Sequence, residues 1–415
     1  MSRFETELER RLEDIRSTNL FRQLRRIDSP QSPEIQADSR SLLNFSSNDY
    51  LGFANEPALK EAAIRAVERF GVGSGSSRLI CGSLGPHHDL EDAIASFKEQ
   101  PAALSFSSGF AAALGAIGSL VTRDDVVILD KLSHACLIDA ARLSGATLRI
   151  FNHNDMEDLE SILRWARDRS RRDRSRDSTV LIVTESVFSM DGDHAPLKEI
   201  VDLKDKYDAW LMLDEAHATG LYGANLRGLA EAAGVGSRVE IQMGTLGKAL
   251  GVSGGFICGA RPLIDLLINR ARPFIFSTAP SPAICAAATA GLALLQTEFG
   301  RNRQRALFER VAQVAARLPA LGKGPPCPIL PLVVGDETNA LAAASALRER
   351  GLLIPAIRFP AVPRNQARLR LTLSATHSQK DIDSLLDALI ALQMDGALNP
   401  GSKPEAAIQT ESRTT

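Results

Sequence analysis

One pattern dominates the chain. From about residue 55 onward, short continuous apolar runs rich in Val, Ile and Leu alternate with stretches of helical periodicity. The runs are VVILD (126–130), ATLRIF (146–151), TVLIVTESVF (179–188), AWLMLDEAH (209–217), EIQMGT (240–245) and GGFICGA (254–260). A strand with one wet face alternates polar and apolar residues, whereas a strand apolar throughout needs cover on both faces. Such strands separated by helices predict an α/β fold built on a mainly parallel sheet. Sheets of this kind hold their ligand beyond the carboxyl ends of the strands. The polar residues that end the runs are therefore the ones to examine.

ALKEAAIRAVERF (58–70) reads as a helix with Leu59, Ala63, Val67 and Phe70 on one face, and HHDLEDAIASFKEQ (87–100) as a second amphipathic helix. Past about 285 the pattern changes. A long Ala/Leu/Arg helical region (282–320) precedes CPILPLVVG, a helix at 338–350, strands around LLIPAI and ARLRLTLS, and a last helix at 379–393. This predicts a smaller α+β domain. Length alone suits two or three domains. The expected division is an N-terminal helical segment (1–55), a large α/β domain (56–285), a small C-terminal α+β domain (286–396) and a disordered polar tail (397–415). RWARDRSRRDRSRDS (164–178) reads as a solvated helix end or loop, exposed and mobile.

Composition narrows the function classes. Lys+Arg 48 against Asp+Glu 50 gives a formal net charge of −2, without the basic field that phosphate-driven nucleic-acid binding needs. No apolar run approaches the roughly 18 residues of a membrane-spanning helix. The start, MSRFETELERRLEDIR, is charged throughout and reads as an amphipathic surface helix rather than a secretory signal. Five scattered cysteines and seven dispersed histidines, the adjacent His87 and His88 included, offer no metal set. The expectation is a cytoplasmic protein with no metal, membrane or nucleic-acid partner.

Three segments carry chemistry. In EIQMGTLGKALGVSGG (240–255), Lys248 follows a buried strand and a Gly-Thr-x-Gly turn. It is either a surface lysine in a loop or a Schiff-base lysine placed for a carbonyl cofactor. In LMLDEAHATG (211–220), Asp214 sits where an apolar strand runs out, with His217 three residues on. Asp214 either caps the next helix or pairs with the protonated pyridine nitrogen of pyridoxal 5'-phosphate (PLP), keeping that ring an electron sink. DEAH is also a helicase ATPase box, and LSATHS (373–378) contains a second helicase-like triplet. That reading requires a G-x-x-x-x-G-K-[ST] phosphate loop, and the chain has none. In LSFSSGFAAALGAIGSL (104–120), Ser107-Ser108-Gly109-Phe110 opens an Ala-rich helix whose first backbone amides suit a phosphate. His134, just beyond VVILD, is either structural or placed to stack on a planar ring.

Together these segments resemble the α-oxoamine synthases, PLP-dependent enzymes of the aspartate-aminotransferase fold, or fold type I. The matching strings include NFSSNDYLG (44–52), SSRLICGSLGPHHDLE (76–91), DKLSHACLIDAARLSGA, HND (153–155), TESVFSMDGDHAPL, LDEAHATGLYG, GTLGKALGVSGG, FIFSTAPSP (274–282) and ARLRLTLSATHS (367–378), in order from about residue 20 to 393. The resemblance implies a mainly parallel seven-stranded sheet, PLP as cofactor and a homodimer with shared active sites. It implies that Lys248 carries the Schiff base, Asp214 meets the pyridine nitrogen, and His134 stacks on the ring. His217, Ser189 and Thr245 would contact cofactor oxygens, Gly109 and Phe110 would hold the phosphate, and Thr278 would reach the phosphate of the neighbouring subunit. Arg370 would grip an amino acid carboxylate, Asn48 would line the substrate site, and Arg25 would approach an acyl chain.

Within the family, the SLIDAARLSGA-like and FSMDGD…APL strings look most like members that condense L-alanine with a pimeloyl thioester, on CoA or a carrier protein, in biotin biosynthesis. SSRLICGS resembles the same stretch in a glycine-using branch, which stands as the alternative. Where such members often have Pro-Pro-Thr-Val-Pro, this chain has Phe359-Pro360-Ala361-Val362-Pro363, so Ala361 lacks a substrate-facing hydroxyl. A catalytically silent partner subunit would lack the lysine, and Lys248 in an intact GTLGKALG argues for an enzyme.

Overall fold

The computed structural model describes residues 1–172 and 178–394. The tail expected at 397–415, and residues 173–177 of the Arg/Asp-rich 164–178 segment, lie outside the described residues. The chain opens with α1 (Arg3–Ser17), which starts from a reciprocal Ser2–Glu5 capping box and buries none of its residues. The 1–55 stretch is helical only this far. Asp38 and Ser39, both at positive φ, turn the chain between β1 (Glu34–Ala37) and β2 (Arg40–Asn44), an antiparallel pair. Ile35, Ala37 and Leu42 alternate onto its buried face, a period-2 signal within the polar lead-in.

Two helices follow, α2 (Pro57–Phe70) and α3 (Gly85–Lys98). The buried stripe of α2 is Leu59, Ala62 and Ala66, not the expected Leu59, Ala63, Val67 and Phe70 face; Val67 is exposed. The small residues let α2 approach the Ala-rich helix Pro282–Leu295, where a Cβ on Gly291 would lie 3.5 Å from Leu59.

The main sheet contains β3 (Ala102–Phe106), β4 (Val126–Asp130), β5 (Thr147–Phe151), β6 (Val180–Glu185), β7 (Trp210–Asp214), β8 (Ile241–Thr245) and β9 (Gly255–Gly259). Their order is β3-β9-β8-β7-β6-β4-β5. β9 runs antiparallel to both neighbours and the other pairings are parallel, as the resemblance implied. The crossovers are α4 (Gly109–Leu120), α5 (Ala135–Ser144), α6 (Met156–Arg172) and α7 (Leu197–Tyr207). Alternate strand residues divide between two cores. Val127, Leu129, Val183 and Met212 join the apolar cluster of α4 and α5, while Ile128, Ile182, Leu211 and Leu213 join that of α6 and α7. This two-sided burial is the physical reason the runs are apolar throughout.

The last quarter adds β10 (Ile329–Gly335), β11 (Leu352–Leu353), β12 (Ala356–Ile357) and β13 (Ala367–Thr372). β13 lies antiparallel between β10 and β12, and β11 pairs parallel to β2, which joins the N-terminal hairpin to the last quarter of the described chain. Among the described residues no single helix is long and apolar enough to cross a membrane.

The start of α4 is set by close approach. A Cβ on Gly255 would lie 2.6 Å from the Cα and N of Gly109. Gly255→Ala should therefore overpack β9 against α4 and cost about 1–3 kcal/mol. Denaturant melts check this, and an unchanged midpoint would mean that the α4 start yields freely.

Candidate active site

Three acids end adjacent parallel strands of the main sheet: Asp130 on β4, Glu185 on β6 and Asp214 on β7. Glu185 and Asp214 are register partners, and all three are buried. The Glu185 carboxylate accepts the His134 backbone N–H at 2.6 Å. Burial, then the Asp214 charge, pushes its pKa up to about 8. Burial also raises Asp214, against the pull of Lys248. One Asp214 oxygen accepts the Ala216 N–H at 2.8 Å, and the other meets no donor among the described residues.

Lys248 reaches this edge from the loop that follows β8. Val252 N–H to Leu246 O and Gly251 N–H to Lys248 O, both 2.8 Å, close that loop. Gly251 sits at φ 66, where a Cβ would meet Ala54 N at 2.3 Å, so no side chain fits there. Burial pushes the Lys248 amine down to about 8, although Asp214 and Glu185 favour its charge. Its Nζ lies 2.7 Å from His217 Nε2, and His217 Nδ1 lies 2.6 Å from the Tyr50 hydroxyl. Burial, then Lys248, holds His217 well below the usual imidazole range, so the ring is neutral. One consistent assignment has Nε2 accepting from Lys248 and Nδ1–H donating to Tyr50, whose hydroxyl donates to Asn48 Oδ1 at 3.4 Å.

Arg370, buried on β13, enters from the C-terminal sheet. Its Nε donates to Ser189 O at 2.7 Å, and its Nη1 to Asn48 Oδ1 and Thr372 Oγ1, each at 3.1 Å. The guanidinium is thereby oriented by three oxygens before any ligand arrives. At the other end of the site, Ser108 caps α4 by accepting the Ala111 N–H, while the Gly109 and Phe110 amides have no acceptor among the described residues. A Cβ on Gly109 would lie 3.9 Å from Thr245, so this helix start adjoins the strand that leads to Lys248. Thr245 donates to Gly254 O at 2.9 Å and accepts the Gly247 N–H.

His134 caps α5 through Nδ1, which accepts the Cys136 N–H, and burial lowers its pKa. With Ser189 and Ala361 it lines a cavity of about 400 Å³, walled by Ile138, Phe188 and Val362. Two of the expected residues stand apart from this group. Arg25 is exposed and ion-pairs with Asp38 at 3.0 Å. Thr278 is exposed and bridges to Ser77. The geometry also brings in residues to which the sequence reading assigned no role: Glu185, Asp130 and Tyr50. Glu185 and Asp130 end apolar runs in the way Asp214 does, and that signal was available. Nothing in the sequence marks Tyr50 as the partner of a histidine 167 positions away.

The aminotransferase class I and II profile matches residues 40–389. The chain belongs to the aminotransferase class I and II family. Among relatives in that family, the 8-amino-7-oxononanoate synthase of Anaeromyxobacter sp. (strain K) is 48% identical over 387 residues, covering 92% of this chain and 94% of the relative. A serine palmitoyltransferase variant from S. paucimobilis, solved with a bound PLP–myriocin aldimine, superposes with a TM-score of 0.86 at 28% identity. It covers 94% of this chain and 98% of its own. The 8-amino-7-oxononanoate synthase of Francisella tularensis superposes with a TM-score of 0.70 at 26% identity, over 86% of this chain and 99% of its own. The fold of this family member is fold type I of the PLP-dependent enzymes.

In the cofactor-free protein, the reactivity of Lys248 toward a small amine-modifying reagent should rise with an apparent pKa near 8. An ordinary lysine titrates at about 10.4. Peptide mapping of the modified residue across pH 6–11 checks this, and a midpoint at or above 10 would contradict a desolvated amine.

Proposed function

We propose that this chain is an 8-amino-7-oxononanoate synthase: a PLP-dependent enzyme that condenses L-alanine with a pimeloyl thioester, releasing CO2 and the free thiol, in biotin biosynthesis. The observation that carries the cofactor assignment is one arrangement of donors and acceptors. Among the described residues, one oxygen of the buried Asp214 lacks a donor, a desolvated Lys248 amine lies at the same edge, and two amides without an acceptor head α4. This set fits PLP, with Asp214 for the pyridine N–H, Lys248 for the aldehyde carbon and the Gly109 and Phe110 amides for the phosphate. His134 would cover the ring, with His217, Ser189 and Thr245 near its oxygens. When bound, PLP supplies the electron sink that stabilises charge at the amino acid Cα.

The protein's own groups do the rest. Arg370, pre-oriented by Ser189 and Asn48, pairs with the alanine carboxylate. The Lys248 amine, neutral in large part near pH 8, takes the α-proton. The neutral His217, joined to Tyr50, offers a hydrogen-bond route along which that proton can be held. Glu185 fixes the backbone at His134, so the ring that lines the acyl cavity keeps its place. The cavity beside His134 suits a pimeloyl chain, and Ala361 makes its rim less polar than a threonine would. Thr278, on an exposed segment flanked in sequence by exposed Phe276 and bridged to the stretch carrying exposed Leu79 and Ile80, supports a homodimer in which it serves the partner's site. Arg25, exposed and paired with Asp38, would be the group that meets the acyl chain.

Lys248→Ala should reduce turnover of L-alanine with pimeloyl-CoA by at least about 10⁴-fold, the scale on which loss of a covalent and general-base group acts. Wild-type protein should turn over L-alanine in preference to glycine and L-serine. Steady-state assay of CO2 and thiol release checks both. Turnover of glycine but not alanine would keep the family and replace the substrate.

A further inference from the structure

We propose that His153 is a positioning residue for the amino acid carboxylate site: held between Asp130 and Asp193, it sets the 188–193 turn whose Ser189 carbonyl orients Arg370. The proposal rests on the assignment of Arg370 to the alanine carboxylate. His153 Nδ1 lies 2.9 Å from Asp130 Oδ1 and Nε2 lies 2.6 Å from Asp193 Oδ2, so one ring ties the end of β4 to the turn after β6. The Phe188 ring meets His153 edge-on, with centroids 4.4 Å apart. Asn154, at φ 54, completes the clamp by donating its backbone N–H to Asp130 and its side-chain amide to Asp193 and His194 O.

The turn itself is tight. Phe188 N–H donates to Asp193 O, Gly192 N–H donates to Phe188 O, and Gly192, at φ 72, packs where a Cβ would fall 2.4 Å from Ile329 O. Between these anchors the turn presents acceptors to two arginines on one face of β13. Arg370 Nε donates to Ser189 O at 2.7 Å, and Arg368 Nη1 donates to Asp191 Oδ1 at 2.5 Å and to Met190 O. The turn thus supplies one of the three oxygens that orient Arg370, and His153, with Asn154, ties that turn to the end of β4. Burial opposes charge on His153, but its bonds to Asp130 and Asp193 prevail and raise its pKa to about 10. At neutral pH the ring carries both protons and donates at both nitrogens, one to each carboxylate.

The test is steady-state kinetics of holoenzyme His153→Gln and, should that variant fold poorly, of the near-isosteric Asp193→Asn, with Arg370→Lys as reference. The expected result is a KM for L-alanine raised at least tenfold, with kcat and the KM for pimeloyl-CoA within about threefold of wild type. An unchanged alanine KM in the His153 and Asp193 variants, with a raised one in Arg370→Lys, overturns the clamp alone. Loss of kcat and both KM values together, in step with a lowered melting temperature, also overturns it, because that is plain structural damage. An unchanged alanine KM in Arg370→Lys overturns the assignment of Arg370, and the clamp with it.

Discussion

Everything at the working edge depends on carboxylates kept out of water beside a single amine. Glu185 and Asp214 are register neighbours at the ends of parallel strands, and the Lys248 amine is the cation that acts on both. Two buried like charges at that spacing repel strongly in a poorly screened interior, so at least one is favoured in its neutral form. Burial therefore raises both acids and lowers the lysine. The same desolvation that makes the arrangement expensive gives Lys248 a usable neutral amine, and among the described residues one Asp214 oxygen meets no donor.

The surroundings are built to hold that edge in place. Directly after Asp214, Glu215 is paired with Lys98 at 2.6 Å, both side chains fully buried, and its other oxygen accepts the Ala230 N–H. A buried pair of this kind adds little net stability, but removal of one partner costs about 3–5 kcal/mol because a lone buried charge is left behind. The Arg78–Glu91 pair does similar work next to β3, where Glu91 also accepts the Ser105 N–H and hydroxyl. Polar groups that would be orphaned under the sheet are thus matched in small closed sets.

The candidate site joins parts of the chain that are far apart in sequence. Asn48 follows the N-terminal hairpin, Ser189 follows β6, and Arg370 lies on β13, yet the three share one hydrogen-bonded group. Pairing of β11 with β2 makes this possible by attaching the chain's beginning to its last quarter. Opening of that second body against the main sheet would move Arg370 relative to Lys248, so the turn at 188–193 bridges two parts that must agree in position.

The apolar runs by themselves determined the class of fold, because strands covered on both faces leave no polar position for the eye to miss. They also located Asp214, Lys248 and the start of α4, since each sits where a run stops. The strand within AALSF and the β1–β2 hairpin were less legible: short strands carry few alternations, and Ile35, Ala37 and Leu42 are sparse among polar neighbours. The face of α2 was misplaced by one position because Val67 is more apolar than Ala66, whereas the packing against an Ala-rich helix rewards small size. Only the tertiary structure decided which polar residues meet. Tyr50 with His217, Asn48 with Arg370, and His153 between Asp130 and Asp193 are contacts across long sequence separations, and a linear pattern holds no record of distances that arise when sheets and turns pack.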